Sequence, residues 1–173
     1  MPDSFTSNDR YFCDDLVTLI RPETAIDVGI GHGKIGSYLR AHCPRCRVVG
    51  HEIWPHYLTP EIRALYDEVV IGDFLDWLEN NVDWFSDLIV FGDVLEHFRQ
   101  SDALDVLDLC HYRSKWTALF FPLSYLQGTH DGNKFEAHQC IVHLSDLQRY
   151  NVAHYFKCLH QNIYYCLLRG LRE

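Results

Sequence analysis

No stretch of this 173-residue sequence approaches the ~20 consecutive apolar residues needed to cross a bilayer. No basic region leads into an apolar core near its start either, so a soluble, cytoplasmic chain without a membrane partner is expected. Positive charge is scarce: 15 Lys and Arg against 24 Asp and Glu give a formal charge of -9. Neutralising phosphates takes clustered cations, and no basic stripe is present, which argues against a nucleic-acid substrate. Internal repeats, linkers and low-complexity segments are missing too, so residues 1–173 read as one domain. The seven cysteines contain one close pair, Cys43 and Cys46. A structural zinc site would need a second pair or paired histidines, so these two read as turn residues of a reduced chain.

What is present is enough apolar material for a full core, 47% hydrophobic and 14% aromatic residues. A helix pattern starts at Ser7, with Phe12, Leu16, Leu19 and Ile20 on one face, and stops at Pro22. Strand patterns follow at 24–28, 47–51, 68–71, 87–91 and 116–121, separated by helix patterns. Thr59 and Pro60 open one of those helices, and Ser101 is expected to cap another. Strands alternating with helices predict an α/β, doubly wound, mostly parallel sheet with right-handed crossovers. Two last strands, 152–158 and 162–168, lie too close for a crossover helix and must pair antiparallel. Between them and the parallel part runs a long polar segment, 123–142, read as a substrate loop. The helix within 1–22 is read as a lid.

The stretch AIDVGIGHGKIGSYL, 25–39, is strand, glycine turn and helix. Gly29, Gly31 and Gly33 allow positive φ and close approach of a ligand to a helix start that carries free N–H groups. Ligands of open α/β sheets bind outside the carboxyl ends of the strands. Each of the first four strands ends near a carboxylate: Asp27, Glu52, Asp73 after Gly72, and Asp93 after Gly92. Glu52 suits the two hydroxyls of a ribose, Asp73 an exocyclic amine, and Asp27 the ammonium of an amino acid. Adenine, ribose and a cationic amino-acid tail together satisfy that set.

On these residues the chain resembles the class I S-adenosylmethionine-dependent methyltransferases. The matching segments are DVGIGHG (27–33), Glu52, GDF (Gly72, Asp73, Phe74) and GDVLEH (92–97, with Asp93 and Val94). GTHDGNKF (128–135) is similar to a segment of the ubiquinone-biosynthesis O-methyltransferases. The resemblance spans roughly residues 24–169 and implies a Rossmann-like, seven-stranded sheet with the last strand antiparallel. It also implies S-adenosylmethionine as cofactor and a small-molecule methyl acceptor. Ile53 or Trp54 would then cover the adenine.

His97 falls where the acceptor atom should sit, and a neutral imidazole there can take its proton. His130 and His138 join it as candidates in the acceptor pocket. His130, Asp131, Glu136, His138 and His143 crowd one loop, but their spacing matches no metal template, and no metal is assigned. Two rival readings stand beside methyl transfer. Gly31, Gly33 and Gly36 form a GxGxxG that could cradle the pyrophosphate of NAD(P) in an oxidoreductase, although the length leaves no catalytic domain. A non-catalytic cofactor-binding or scaffold member of the fold is the other. The proline pair that marks amino-methylating DNA enzymes is replaced by GDVL, 92–95.

Overall fold

The computed structural model describes residues 9–123, 125–130, 132–158 and 163–172. Seven strands form a single sheet in the order β3-β2-β1-β4-β5-β7-β6. They are β1 (Thr24–Val28), β2 (Arg47–Glu52), β3 (Glu68–Ile71), β4 (Ser86–Gly92), β5 (Ser114–Pro122), β6 (Asn151–Cys158) and β7 (Ile163–Arg169). The first five run parallel, and β7 pairs antiparallel with both β5 and β6. This is the doubly wound sheet that the alternation predicts, with strand limits moved by one or two residues. The chain leaves β1 toward β2 on one side and later returns to β4 on the other, so strand order reverses between β1 and β4.

Helices cover both faces because the parallel strands alternate two apolar sets. Ile26, Ile89, Phe91 and Leu119 pack under α4 (Phe74–Asn80) and α5 (Gln100–Arg113), with α6 (Leu144–Leu147) beside them. Ala25, Val48, Leu88, Val90 and Phe120 pack under α1 (Asp9–Asp15) and α2 (Lys34–His42), and short α3 (Pro60–Arg63) lies against that side through Ile62. The Thr59 hydroxyl accepts from Ile62 N–H, so the proline-led cap forms as the sequence predicts. Ser101 does not cap α5: Arg99 holds the N-cap position and the Ser101 hydroxyl donates to Asp102 instead.

The N-terminal helix also departs from expectation. It is α-helical only over Asp9–Asp15, continues as a π-turn over Leu16–Ile20, and closes with Arg21 at φ 44°. Ser7 lies outside the described residues, as does Asn162. Phe12 and Leu16 are fully buried, and Phe12 meets Phe120 and Tyr165 edge-on. Asp15 beneath them accepts from Tyr165 Oη at 2.8 Å and contacts His154 Nδ1 at 2.9 Å. The π-turn follows from this docking, since it keeps Leu16 and Ile20 on the sheet while Asp15 reaches β6 and β7. None of residues 9–22 lines the main cavity, and the helix packs as a layer of the core; residues 1–8 of the expected lid lie outside the described residues.

Cys43 and Cys46 form a backbone turn, with Cys46 N–H donating to Cys43 O. Burial pushes the Cys46 thiol up to about 12, away from reactivity. Phe12→Ala empties a fully enclosed site between two aromatic rings. It should cost about 3–5 kcal/mol in equilibrium denaturation, and an unchanged midpoint would show that α1 does not depend on this contact.

Candidate active site

A cavity of ≈ 370 Å³ opens at the carboxyl ends of β1, β2 and β4, where strand order reverses. Its floor is the turn after β1. Gly29 and Ile30 N–H both donate to His51 O at the end of β2, at 2.8 and 3.2 Å. Gly29 has φ +75°, and a Cβ there would lie 2.5 Å from Val94 Cγ2. A side chain at this position is excluded twice, by backbone conformation and by the segment after β4. Gly33 is the N-cap of α2, also left-handed at φ 77°.

Glu52 joins the floor to the wall. Its Oε2 accepts from Gly31 N–H at 2.9 Å and its Oε1 from Trp54 N–H at 2.7 Å. Burial raises its pKa, while those two N–H groups oppose the shift. Each oxygen keeps further acceptor capacity, because a carboxylate offers about four lone-pair sites. Asp73 Oδ1 caps α4, accepting from Leu75 and Asp76 N–H. Asp93 takes φ 55°, a left-handed conformation that among side-chain-bearing residues Asn, Asp and His adopt most readily, at the point where β4 turns into the cavity.

Gly29, Gly31, Glu52, Ile53, Gly72, Asp73, Phe74, Gly92, Asp93, Val94, His97 and His138 all line the cavity. Four other residues singled out from the sequence do not. Asp27 is 1% exposed below the glycine turn, where it accepts from Tyr66 Oη at 2.6 Å, and burial raises its carboxyl to about 7. The ammonium role expected of it would have to be reached from beneath the turn, since Asp27 itself is not in the lining. Gly33 faces Leu65 and Ile62. Of the two adenine-covering alternatives, Ile53 reaches the cavity, whereas Trp54 contributes its N–H to Glu52 and sets its ring against His56 and Phe135. His130 forms a backbone bridge with Asn133, and Asn133 lines the cavity while His130 does not. Asp131, in the same loop, lies outside the described residues.

The loop folds over the cavity through bonds that sequence spacing does not reveal. Tyr57 Oη donates to Glu136 at 2.9 Å and accepts from Asn133 Nδ2 at 3.1 Å, tying the loop to the segment after β2. Gln139 and Cys140 N–H donate to Glu96 O, and Gln139 Nε2 donates to His97 O at 2.7 Å. These bonds bring His97 and His138 face to edge with ring centroids 4.9 Å apart. Burial, then the neighbouring His138, holds His97 below the usual imidazole range. Glu96, 2% exposed, is raised well above the carboxylate range by burial and by Asp93.

His51 is one of the lining residues that sequence reasoning missed; it reads as a strand position. It is 1% exposed between Phe74 and Trp77, and neither ring nitrogen has a partner. Burial lowers its pKa to about 4 from 6.5. As pH falls through 6.5 the unfolded chain takes up this proton and the folded one does not, so His51 subtracts stability between 6.5 and 4. The full shift is worth about 3 kcal/mol. Asp27, raised to about 7, acts in the opposite sense over 4–7. The difference between His51→Leu and the parent isolates the histidine: the variant should lose less stability in urea on going from pH 7 to pH 5. Parallel losses would show that His51 is protonated in the folded state.

No protein-family model matches the sequence, and no curated protein matches it. Solved structures do. A putative O-methyltransferase from Nostoc punctiforme superposes with TM-score 0.69 at 13% identity, over 95% of this chain and 56% of that one. An O-methyltransferase family protein from Burkholderia thailandensis gives 0.64 at 14%, over 94% and 56%. The N-terminal domain of EvdMO1, solved in the presence of SAH and D-fucose, gives 0.65 at 13%, over 96% and 84%. The chain thus spans little more than half the length of two of these three. With the strand order and the cavity at its switch point, the likeness establishes that this chain has the Rossmann-like fold of the class I S-adenosylmethionine-dependent methyltransferases.

Proposed function

We propose that this protein transfers the methyl group of S-adenosylmethionine to an oxygen or nitrogen of a small-molecule acceptor. The charge of the cavity carries the reading. Glu52, Asp73, Asp93, Glu96, Asp102 and Glu136 line it against Lys34 and Arg99. A ligand bearing a sulfonium and an ammonium complements such a lining, whereas the pyrophosphate of a nicotinamide dinucleotide would meet the same carboxylates. The overlapping GxGxxG therefore does not favour an oxidoreductase.

The residues present fit the cofactor. Glu52 retains acceptor capacity for ribose hydroxyls, Ile53 offers an apolar cover, and the glycine floor admits close approach. Bound there, the cofactor supplies an electrophilic methyl group. The chain's own task is alignment of the acceptor and removal of its proton. His97, held below the usual imidazole range, is neutral at neutral pH and competent to take that proton. The loop is tied over the cavity by the Tyr57–Glu136 hydrogen bond. EvdMO1, whose N-terminal domain was solved with SAH, supplies a precedent for the ligand in this fold.

Calorimetry with S-adenosylhomocysteine should show saturable binding, and silence at millimolar ligand would sink the proposal. Glu52→Ala should weaken that binding by about 1–3 kcal/mol. His97→Ala should keep the affinity and slow methyl transfer by about 10²–10⁴-fold. Turnover unchanged in His97→Ala would remove it from the chemistry. Binding without turnover across acceptor panels would instead indicate a non-catalytic member of the fold.

A further inference from the structure

The loop bonds assemble a donor set that sequence spacing hides. One ligand atom from each of Glu96, His97 and His138 lies within 4.8 Å of the others. A single divalent cation with bonds of about 2.0–2.2 Å can join them after small side-chain movements. Glu96 is 2% exposed, its Oε2 has no hydrogen-bond partner, and among the described residues no lysine or arginine pairs with it. A buried carboxylate left in that condition is costly unless a proton or a cation joins it.

Both imidazoles are already oriented. His138 Nδ1 lies 2.6 Å from Tyr125 O, and His97 Nδ1 lies 3.4 Å from Ala137 O. A carbonyl oxygen only accepts, so the short His138 contact favours the ring proton on Nδ1 and a lone pair on Nε2, while the His97 ring is held by the carbonyls of Ala137 and Asp93. Metal-binding histidines are held in this manner, by a carbonyl on the nitrogen that does not ligate. The cluster is also rigid at the backbone, since Gln139 and Cys140 N–H bind Glu96 O and Gln139 Nε2 binds His97 O.

We propose that Glu96, His97 and His138 form a two-histidine, one-carboxylate site for a divalent first-row transition metal, open toward the cavity. Two imidazoles and one carboxylate suit zinc, iron or cobalt better than magnesium, which prefers oxygen ligands. Resting on the methyl-transfer reading, the site selects a hydroxyl-bearing acceptor. The cation coordinates the hydroxyl oxygen and lowers its pKa, and the proton leaves to water. His97 is then a ligand in place of a base.

Titration of the metal-free full chain with Zn²⁺ by calorimetry, and with Co²⁺ by visible absorption, tests the site. One saturable equivalent should bind, far more tightly than Mg²⁺, with cobalt bands of nitrogen and oxygen ligation. Glu96→Gln and His138→Gln should each weaken metal binding by about tenfold or more, and His138→Gln should do so while S-adenosylhomocysteine affinity persists. His138→Gln, on the loop, decides the matter if Glu96→Gln melts. Binding that survives these substitutions unchanged, the absence of a saturable equivalent, or a thiolate-to-cobalt band placing the ion on cysteines would each overturn the site. Metal binding without S-adenosylhomocysteine binding would leave the site standing and remove the methyl-transfer reading instead.

Discussion

The Glu52 carboxylate is the junction on which the ligand site depends. Through Oε2 it holds Gly31 N–H in the turn after β1, and through Oε1 it holds Trp54 N–H in the segment after β2. His51 O, one residue earlier, holds Gly29 and Ile30 N–H. Four backbone donors that a turn would otherwise leave to water are thereby fixed by two adjacent residues at one strand end. The glycine floor has a single geometry because of them, and α2 starts from that floor.

Everything else around the cavity is attached to this junction at a distance. Val94 packs against the space a Gly29 Cβ would occupy, which brings the end of β4 to the floor. Tyr57, three residues beyond Trp54, reaches the loop through Glu136 and Asn133. The loop returns to the turn at Glu96 and His97 through Gln139 and Cys140. The circuit runs from β1 to β2, across the loop and back to β4, and encloses the acidic cavity. Several carboxylates held close together repel one another, and the burial of Glu96 and Glu52 deepens that cost. Such strain at a strand-end cavity is what a cationic ligand relieves.

The fold was legible before any coordinates because its cause is local and repetitive. Apolar runs of strand length between helical periods dictate parallel units, and the short interval before residue 163 dictates a hairpin. The strand-end residues that line the cavity were legible for the same reason: the end of each strand can be read from its apolar run, and the ends of parallel strands meet. Asp27 shows the limit. It stands beside the glycine turn in sequence, yet strand alternation turns its side chain beneath the turn toward Tyr66. Trp54 likewise adjoins Glu52 but serves it with a backbone N–H, and His51, silent in the sequence, is buried at the cavity wall.

The sequence by itself determined the doubly wound sheet, the glycine turn and the carboxylates that ring its switch point, since each depends on periodicity and on chain direction. Only the tertiary structure decided which side chains of the loop matter. His130 and His138 are equivalent candidates in sequence, and they separate because one lies in a backbone bridge with Asn133 while the other is drawn to His97. Contacts between residues forty positions apart, such as Ala137 O with His97 Nδ1, carry no spacing rule. They arise from where the loop's own hydrogen bonds close, which is a property of the folded chain alone.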